Sequence, residues 1–240
     1  MLTRTLSRLS PALLLLTLFC ASAAAQDEGG RAQEIIARGN ERYARGEYSA
    51  AVEEYGRVTR ADGEAYAQAL YNIGVCRFEL WQTEEAAQAY RQAVEARGGR
   101  YPKASYALGV ALEELKREAE AKGAYEQAAA GAGYAPAHYK LGMLAARAGD
   151  EALAASHFRE AIRRSKDKFP ASHNNLGVML ARAGRLSEAE REFEAALRQS
   201  DAPFEEAAGN LKLCRKLLAG RSKDGAAALK VAAPAGGFNR

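Results

Sequence analysis

Small residues recur at a nearly constant interval along most of the chain. Five glycines are separated by 35, 35, 33 and 35 residues, an alanine follows each glycine by 12 residues, and an aromatic residue follows each alanine by 4. The three series are Gly39, Gly74, Gly109, Gly142 and Gly177; Ala51, Ala86, Ala121, Ala154 and Ala189; and Tyr55, Tyr90, Tyr125, Phe158 and Phe193. Such in-phase recurrence predicts stacked repeats, in which each unit buries its neighbour's apolar face.

Each repeat has the pattern of a helical hairpin. Two stretches with helical apolar periodicity are separated by Gly46, Gly149 or Gly184 in three of the five copies. Sustained strand alternation is missing, and the composition favours helix. The glycine and alanine are small because the two helix backbones must approach closely. Proline stands near the start of four first helices, where its missing N–H costs little. These prolines are Pro102, Pro136, Pro170 and Pro203.

Residues 32 to about 218 resemble the tetratricopeptide repeat, a unit of about 34 residues with the pattern W-x2-L-G-x2-Y, then A-x3-F, then P. The leucine-glycine pair is matched in four repeats, as in Leu108-Gly109. The tryptophan position departs from the pattern and holds Leu70, Ser105, His138 and His173. The resemblance implies an all-α, right-handed superhelical solenoid of five repeats. The stretch from Glu205 to Leu218 repeats the first-helix register without a second helix, which predicts a capping helix.

Both ends of the chain differ from the repeats. Arg4 and Arg8, a short apolar run and the small residues up to Ala25 form the pattern of a signal peptide over residues 1–25, with cleavage before Gln26. Lipidation at Cys20 is an alternative, although Phe19 stands where lipoprotein signals have a small residue. Residues 26–31 are interpreted as a short linker. The Ala, Gly and Pro content of residues 219–240 predicts a flexible tail.

Charge and motifs exclude several classes of function. Loss of Arg4 and Arg8 reduces the formal charge from +4 to +2, and no block of like charge provides a nucleic-acid footprint. No further segment could span a membrane, so we expect an exported, periplasmic or secreted protein. Motifs for hydrolases, phosphate binding and metal sites are missing from the sequence. We therefore expect no enzymatic activity and no cofactor.

Several single residues allow two interpretations. His138 and His173 are expected to pack between helices, with a metal or binding role as the alternative. His157 is interpreted as a surface residue. Cys76 and Cys214 occupy one register position four repeats apart, which predicts two separate buried thiols. Trp81 stands at a turn position, where it either forms an exposed anchor or packs on its neighbours.

One face of the first helices carries the best functional signal. Residues three before, one after and four after the glycine share a face, which the resemblance places in the concave groove. Its tyrosines, valines and methionine suit an extended or helical peptide, and Asn72, Asn175 and Asn210 resemble asparagines that hold a ligand's main chain. The candidate binding residues are Asn40, Tyr71, Asn72, Val75, Phe78, Tyr106, Val110, Tyr139, Lys140, Met143, Arg147, Asn174, Asn175, Val178, Arg182 and Asn210.

Charged residues on this face predict a gradient along the groove. The C-terminal half has a positive inner edge, and the middle is negative. The positive residues are Lys140, Arg147 and Arg182, and the negative ones are Glu79, Glu113 and Glu114. We therefore expect a scaffold or adaptor that binds a protein or peptide partner in its groove. The alternative is an accessory subunit of a cell-envelope enzyme or secretion complex, which docks through its convex face or its tail.

Overall fold

The computed structural model describes residues 30–130, 133–166, 168–220, 225 and 228–232. The predicted signal peptide and its cleavage site lie outside these residues. Within the described ranges the chain forms α-helices and a short 3-10 turn, Arg60–Asp62, and no strand. The helices are α1 (30–44), α2 (Tyr48–Tyr55), α3 (Glu64–Glu79), α4 (Thr83–Ala96), α5 (Pro102–Glu114), α6 (Glu118–Ala129), α7 (Ala135–Arg147), α8 (Glu151–Arg164), α9 (Pro170–Arg182), α10 (Leu186–Gln199) and α11 (Glu205–Leu218). The predicted all-α class is confirmed.

The helices form two compact units, one ending at Arg97 and one beginning at Gly98. The first contains the hairpins α1–α2 and α3–α4. The second contains α5–α6, α7–α8 and α9–α10, followed by α11, and each of these helices packs against the next. The last helix has the bounds that the repeat register predicts, and its Leu211 and Cys214 are buried against the preceding hairpin. Among the described helices, none is long and apolar enough to cross a membrane.

The glycine series is explained by the aromatic series. At Gly39 an added Cβ would lie 2.3 Å from Cε1 of Tyr55, and at Gly109 it would lie 2.4 Å from Cε1 of Tyr125. The other three hairpins have the same contact at 2.5 to 2.7 Å. Each ring from the second helix therefore occupies the space that a side chain on the first helix would need. The glycine was predicted to be small so that the two helix backbones could approach, but the group that needs the space is the aromatic ring of the second helix.

The hairpin turns require a left-handed backbone at one residue. Gly46, Gly149 and Gly184 have φ angles of 75°, 80° and 76° at this position. Trp81 and Lys116 take its place in the other two hairpins, each with φ of 61°. A side chain in this region is strained by contact with the backbone, and glycine is not. Trp81 is 70% exposed, which agrees with the exposed alternative for this residue.

Replacing Lys116 with glycine should raise the free energy of unfolding by about 0.5–1 kcal/mol, because glycine accepts the left-handed conformation without strain. Urea unfolding followed by circular dichroism would measure the change. The matched control is Gly149→Ala, which introduces the same strain at an equivalent turn and should destabilise the protein. Equal stability of all three proteins would contradict the assignment of strain to this position.

The residues at the tryptophan position are buried in all four repeats, as predicted for His138 and His173. His173 Nδ1 lies 2.7 Å from Glu192 Oε2, and its Nε2 lies 3.1 Å from Gln199 Nε2. His157 was expected at the surface, but it is half-buried with its Nδ1 3.3 Å from Nδ1 of His138. Burial lowers the pKa of both members of this histidine pair. The surface interpretation of His157 was therefore wrong.

Cys76 and Cys214 are buried free thiols, as predicted. Burial raises the pKa of Cys76 to about 12, so this thiol stays protonated and unreactive at neutral pH. Cys214 donates from Sγ to the backbone oxygen of Leu186 at 3.3 Å. Within the described ranges, no group of three or more His, Cys, Asp or Glu side chains could hold a metal ion.

Candidate functional site

Polar side chains from α7, α9 and α11 gather on one face of the second unit. Tyr139 and Asn174 each stand three residues before the glycine of their helix, Asn175 stands two before it, and Asn210 holds the equivalent position in α11. All four residues are buried. Burial of polar side chains is stabilised by hydrogen bonds that replace their contacts with water. Here the partners are in large part the main chain of residues 228–232.

Residues 228–232 lie on this face, which we call the asparagine face. Asn210 donates from Nδ2 to Lys230 O at 2.7 Å and accepts from Lys230 N at its Oδ1 at 2.9 Å. Asn175 repeats the arrangement with Ala232, donating to its O at 2.9 Å and accepting from its N at 2.8 Å. Each asparagine side chain thus pairs with both main-chain groups of one residue, and the two paired residues are separated by one.

Further hydrogen bonds fix the orientation of these amides. Asn174 donates from Nδ2 to Lys230 O at 3.2 Å and accepts from Asn210 Nδ2 at 2.8 Å. The Tyr139 hydroxyl donates to Ala232 O at 2.5 Å, and its ring stacks on Phe169 with centroids 5.1 Å apart. Burial raises the pKa of Tyr139, so this hydroxyl keeps its proton and remains a donor. The asparagine face is therefore oriented by contacts within the second unit.

Side chains of the bound segment add apolar contacts. Leu229 and Ala232 are each 3% exposed, Val231 is half-buried, and the Lys230 side chain points to solvent. Leu229 joins the apolar cluster that includes Val178 of α9 and Leu211 of α11, and Val231 packs against the same cluster. The segment is recognised mainly through its backbone, with two buried side-chain positions.

The prediction of a flexible tail over residues 219–240 does not hold for residues 228–232. That prediction rested on the Ala and Gly content of this part, which lacks enough apolar surface to fold by itself. The asparagine face supplies partners for its main chain, so the few apolar side chains at 229 and 231 suffice. The remaining tail residues, apart from 219, 220 and 225, lie outside the described residues.

The first unit has an equivalent face that is more open to solvent. Asn40 is exposed, and its Oδ1 accepts from the Tyr55 hydroxyl at 2.7 Å and from Asn72 Nδ2 at 3.4 Å. Asn72, Val75 and Phe78 are half-buried. The candidate residues therefore differ in accessibility. Buried ones are Tyr71, Tyr139, Asn174, Asn175, Val178 and Asn210; half-buried ones are Asn72, Val75, Phe78, Tyr106, Val110, Lys140 and Met143; exposed ones are Asn40, Arg147 and Arg182.

The predicted charge gradient is wrong for Glu113, Lys140 and Arg147, because these opposite charges pair with one another. Glu113 Oε2 accepts from Lys140 Nζ at 2.6 Å and from the Tyr125 hydroxyl at 2.6 Å, and Arg147 lies 3.2 Å from Oε1. Arg182 lies 3.5 Å from Glu151. Burial raises the pKa of Glu113, but the hydrogen bonds from Lys140 and Tyr125 outweigh it and hold this pKa below its usual range. Most of the expected positive edge is therefore neutralised within the second unit.

The geometry agrees with known repeat proteins. The tetratricopeptide repeat profile matches residues 36–101, 82–138 and 139–203, which together span more than half of the chain. The chain belongs to the tetratricopeptide repeat family. No curated protein matches this tetratricopeptide repeat chain significantly. The solved structures that it resembles share its fold at low sequence identity.

Three solved structures illustrate this likeness. Pseudomonas aeruginosa PilF has a TM-score of 0.64 at 17% identity, over 81% of this chain and 87% of PilF. MamA has a TM-score of 0.55 at 23% identity, over 67% of this chain and 93% of MamA. YrrB, a tetratricopeptide repeat protein with an unusual peptide-binding site, has a TM-score of 0.55 at 22% identity, over 73% of this chain and 85% of YrrB. At these identities the likeness supports the fold of this chain alone.

Proposed function

We propose that the protein is an exported scaffold that binds a partner protein by holding an extended segment of it on the faces of its first helices. The observation that carries the proposal is the pairing of Asn175 and Asn210 with both main-chain groups of Ala232 and Lys230. Main-chain pairing of this kind supplies affinity for an extended peptide, while side-chain positions select the sequence. The same main-chain pairing can hold an extended segment of another protein.

Family membership supports the same class of function. Tetratricopeptide repeat domains generally mediate protein–protein interaction. Among the structural neighbours, YrrB has a peptide-binding site of its own. In this chain the asparagine at the same register position occurs in both units, at Asn72 and at Asn175. We therefore propose that the more open face of the first unit, taken by itself, also binds an extended segment.

Crosslinking in intact cells tests the proposal. A photoreactive amino acid at Asn72 or Val75 should capture one defined partner, because these side chains line the accessible face of the first unit. The control positions are Gln88 and Gln92, which are exposed on α4 and point away from the first-helix face. Capture at the control positions and not at Asn72 or Val75 would favour docking through the outer helices, which is the accessory-subunit alternative.

Export is tested on the mature protein. The cationic start, apolar run and small residues before Gln26 favour cleavage after Ala25. We expect intact mass and N-terminal sequencing of the protein from its native host to show a chain that begins at Gln26. A chain that retains Met1, or a lipid attached to Cys20, would overturn the proposed processing.

A further inference from the structure

We infer that residues 228–232 are an intramolecular ligand, which occupies the asparagine face and must leave before a partner segment binds there. This inference rests on the proposed function, since it concerns competition for the same site. It assigns the C-terminal segment a regulatory role as a competitor. It also defines the pattern of the partner segment that the second unit accepts.

Occupancy by residues 228–232 uses the groups that a partner would need. Asn210 contributes both polar atoms of its side chain to Lys230, and Asn175 contributes both of its own to Ala232. A second peptide would therefore find the side-chain oxygen and nitrogen of both asparagines already hydrogen-bonded to residues 230 and 232. Asn210 Nδ2 donates to both Lys230 O and Asn174 Oδ1, and Asn175 Oδ1 accepts from both Asn174 Nδ2 and Ala232 N, so the hydrogen-bonding capacity of these atoms is used. Binding of a partner segment to them therefore requires displacement of residues 228–232.

The bound segment also shows which side chains the face accepts. Leu229 and Ala232 are buried, Val231 is half-buried and Lys230 is exposed. A partner segment in the same register needs a large apolar residue at the first position, a tolerant second position, an apolar third position and a small fourth position. At the fourth position the main-chain oxygen bonds to Asn175 and Tyr139 and the residue is buried, so a small side chain fits there.

Competition of this kind lowers the apparent affinity for a partner. When the binding-competent state is only a fraction of the population, the apparent dissociation constant rises by the inverse of that fraction. A segment held by four main-chain hydrogen bonds to Asn175 and Asn210 and by two buried side chains keeps the open fraction small. Releasing the segment should therefore strengthen partner binding by a factor of about ten or more.

A peptide-binding measurement on the full chain tests the inference. The probe is a fluorescein-labelled peptide with the sequence of residues 225–234, followed by fluorescence anisotropy. Leu229→Asp places a charge in the apolar cluster and should release the segment, so this variant should bind the probe about tenfold more tightly than the wild type. Ala232→Leu should release the segment by steric overlap and give the same direction of change. Lys230→Ala is the matched control, because its exposed side chain leaves the backbone pairing intact, and it should bind like the wild type.

Two further measurements locate the effect. Adding Asn175→Ala to Leu229→Asp should abolish the gain, because the main-chain pairing with the probe is lost. Hydrogen exchange should show slow amides at Lys230 and Ala232 in the wild type and fast ones in Leu229→Asp, while the helices stay protected in both proteins. Helices that lose protection in Leu229→Asp would make Ala232→Leu the deciding variant.

The outcomes separate this inference from the proposed function. Equal probe binding by the wild type and both released variants, or fast exchange at Lys230 and Ala232 in the wild type, would overturn the inference. Partner capture at Asn72 or Val75 would still support the proposed function in that case. Conversely, a tenfold gain on release without partner capture in cells would support self-occupancy and count against the scaffold role.

Discussion

Replacing Gly109 with valine is expected to lower the free energy of unfolding by about 3 kcal/mol, near the upper end of the cost of overpacking a core. The first carbon of the new side chain would lie 2.4 Å from Cε1 of Tyr125, far inside van der Waals contact. The ring cannot move away easily, because Tyr125 is fully buried and its hydroxyl donates to Glu113 at 2.6 Å. Urea unfolding followed by circular dichroism at a helix-sensitive wavelength would measure the loss.

Gly123 provides a matched control for this substitution. It lies in α6 of the same hairpin, and an added Cβ there would meet nothing within 4 Å. Gly123→Val should therefore leave stability unchanged or raise it slightly, since valine is a better helix former than glycine. Similar losses for the two valine variants would show that valine destabilises this hairpin even without a contact to Tyr125, and that this contact does not set the requirement for glycine in the repeat.

Much of the fold could be predicted because it follows from the spacing of the repeat glycines and aromatic residues. A glycine in one helix and an aromatic residue 16 positions later must meet when a hairpin closes, as Gly74 and Tyr90 do with a separation of 2.5 Å from the added Cβ to Cε1. The register then fixes the bounds of α11, although that helix has no partner helix after it within the described residues. This contact lies within a single hairpin, so the same spacing of glycine and aromatic residue recurs independently in each repeat.

The occupied asparagine face could be predicted only in part. Register places Asn175 and Asn210 on the same side of successive first helices, and their type indicates main-chain pairing. Nothing in that register indicates that the peptide is Lys230 to Ala232 of the same chain, because the hydrogen bonds involve backbone atoms, which every residue has. The alternation of Leu229 and Val231 in a tail otherwise rich in alanine and glycine was the one available signal.

Charges on the same face show a different limit of sequence analysis. Lys140 and Glu113 are 27 residues apart, and from the sequence they were assigned to a positive inner edge and a negative middle of the groove, respectively. Packing of successive hairpins instead brings Lys140 Nζ within 2.6 Å of the Glu113 carboxylate. The repeat register predicts on which side of a helix a charged residue lies. It does not predict which charged groups on neighbouring helices the end of a long side chain will contact. Charge pairing across repeats therefore requires the structure.

Replacing Glu113 with alanine is expected to destabilise the protein by about 2 kcal/mol at pH 7, because Lys140 and the buried Tyr125 hydroxyl lose their common partner. The cost stays below that of a fully buried ion pair, since both charged side chains retain some contact with water. Thermal or urea unfolding of the two proteins would measure the difference. Glu126→Ala is the control, because Glu126 pairs with Lys122 at an exposed site where such pairs contribute little.

The stabilisation by Glu113 should decrease as the pH falls. The pKa of Glu113 in the folded protein lies below its usual range, so on acidification the unfolded chain takes up this proton first. Stability from Glu113 is therefore fully present above the unfolded pKa of about 4.3 and is lost as the pH falls through the lower folded value. The gap between the wild type and Glu113→Ala should narrow from about pH 5 towards about pH 3. A gap that stays constant over this range would mean that Glu113 stabilises the hairpins through packing alone, without its charge.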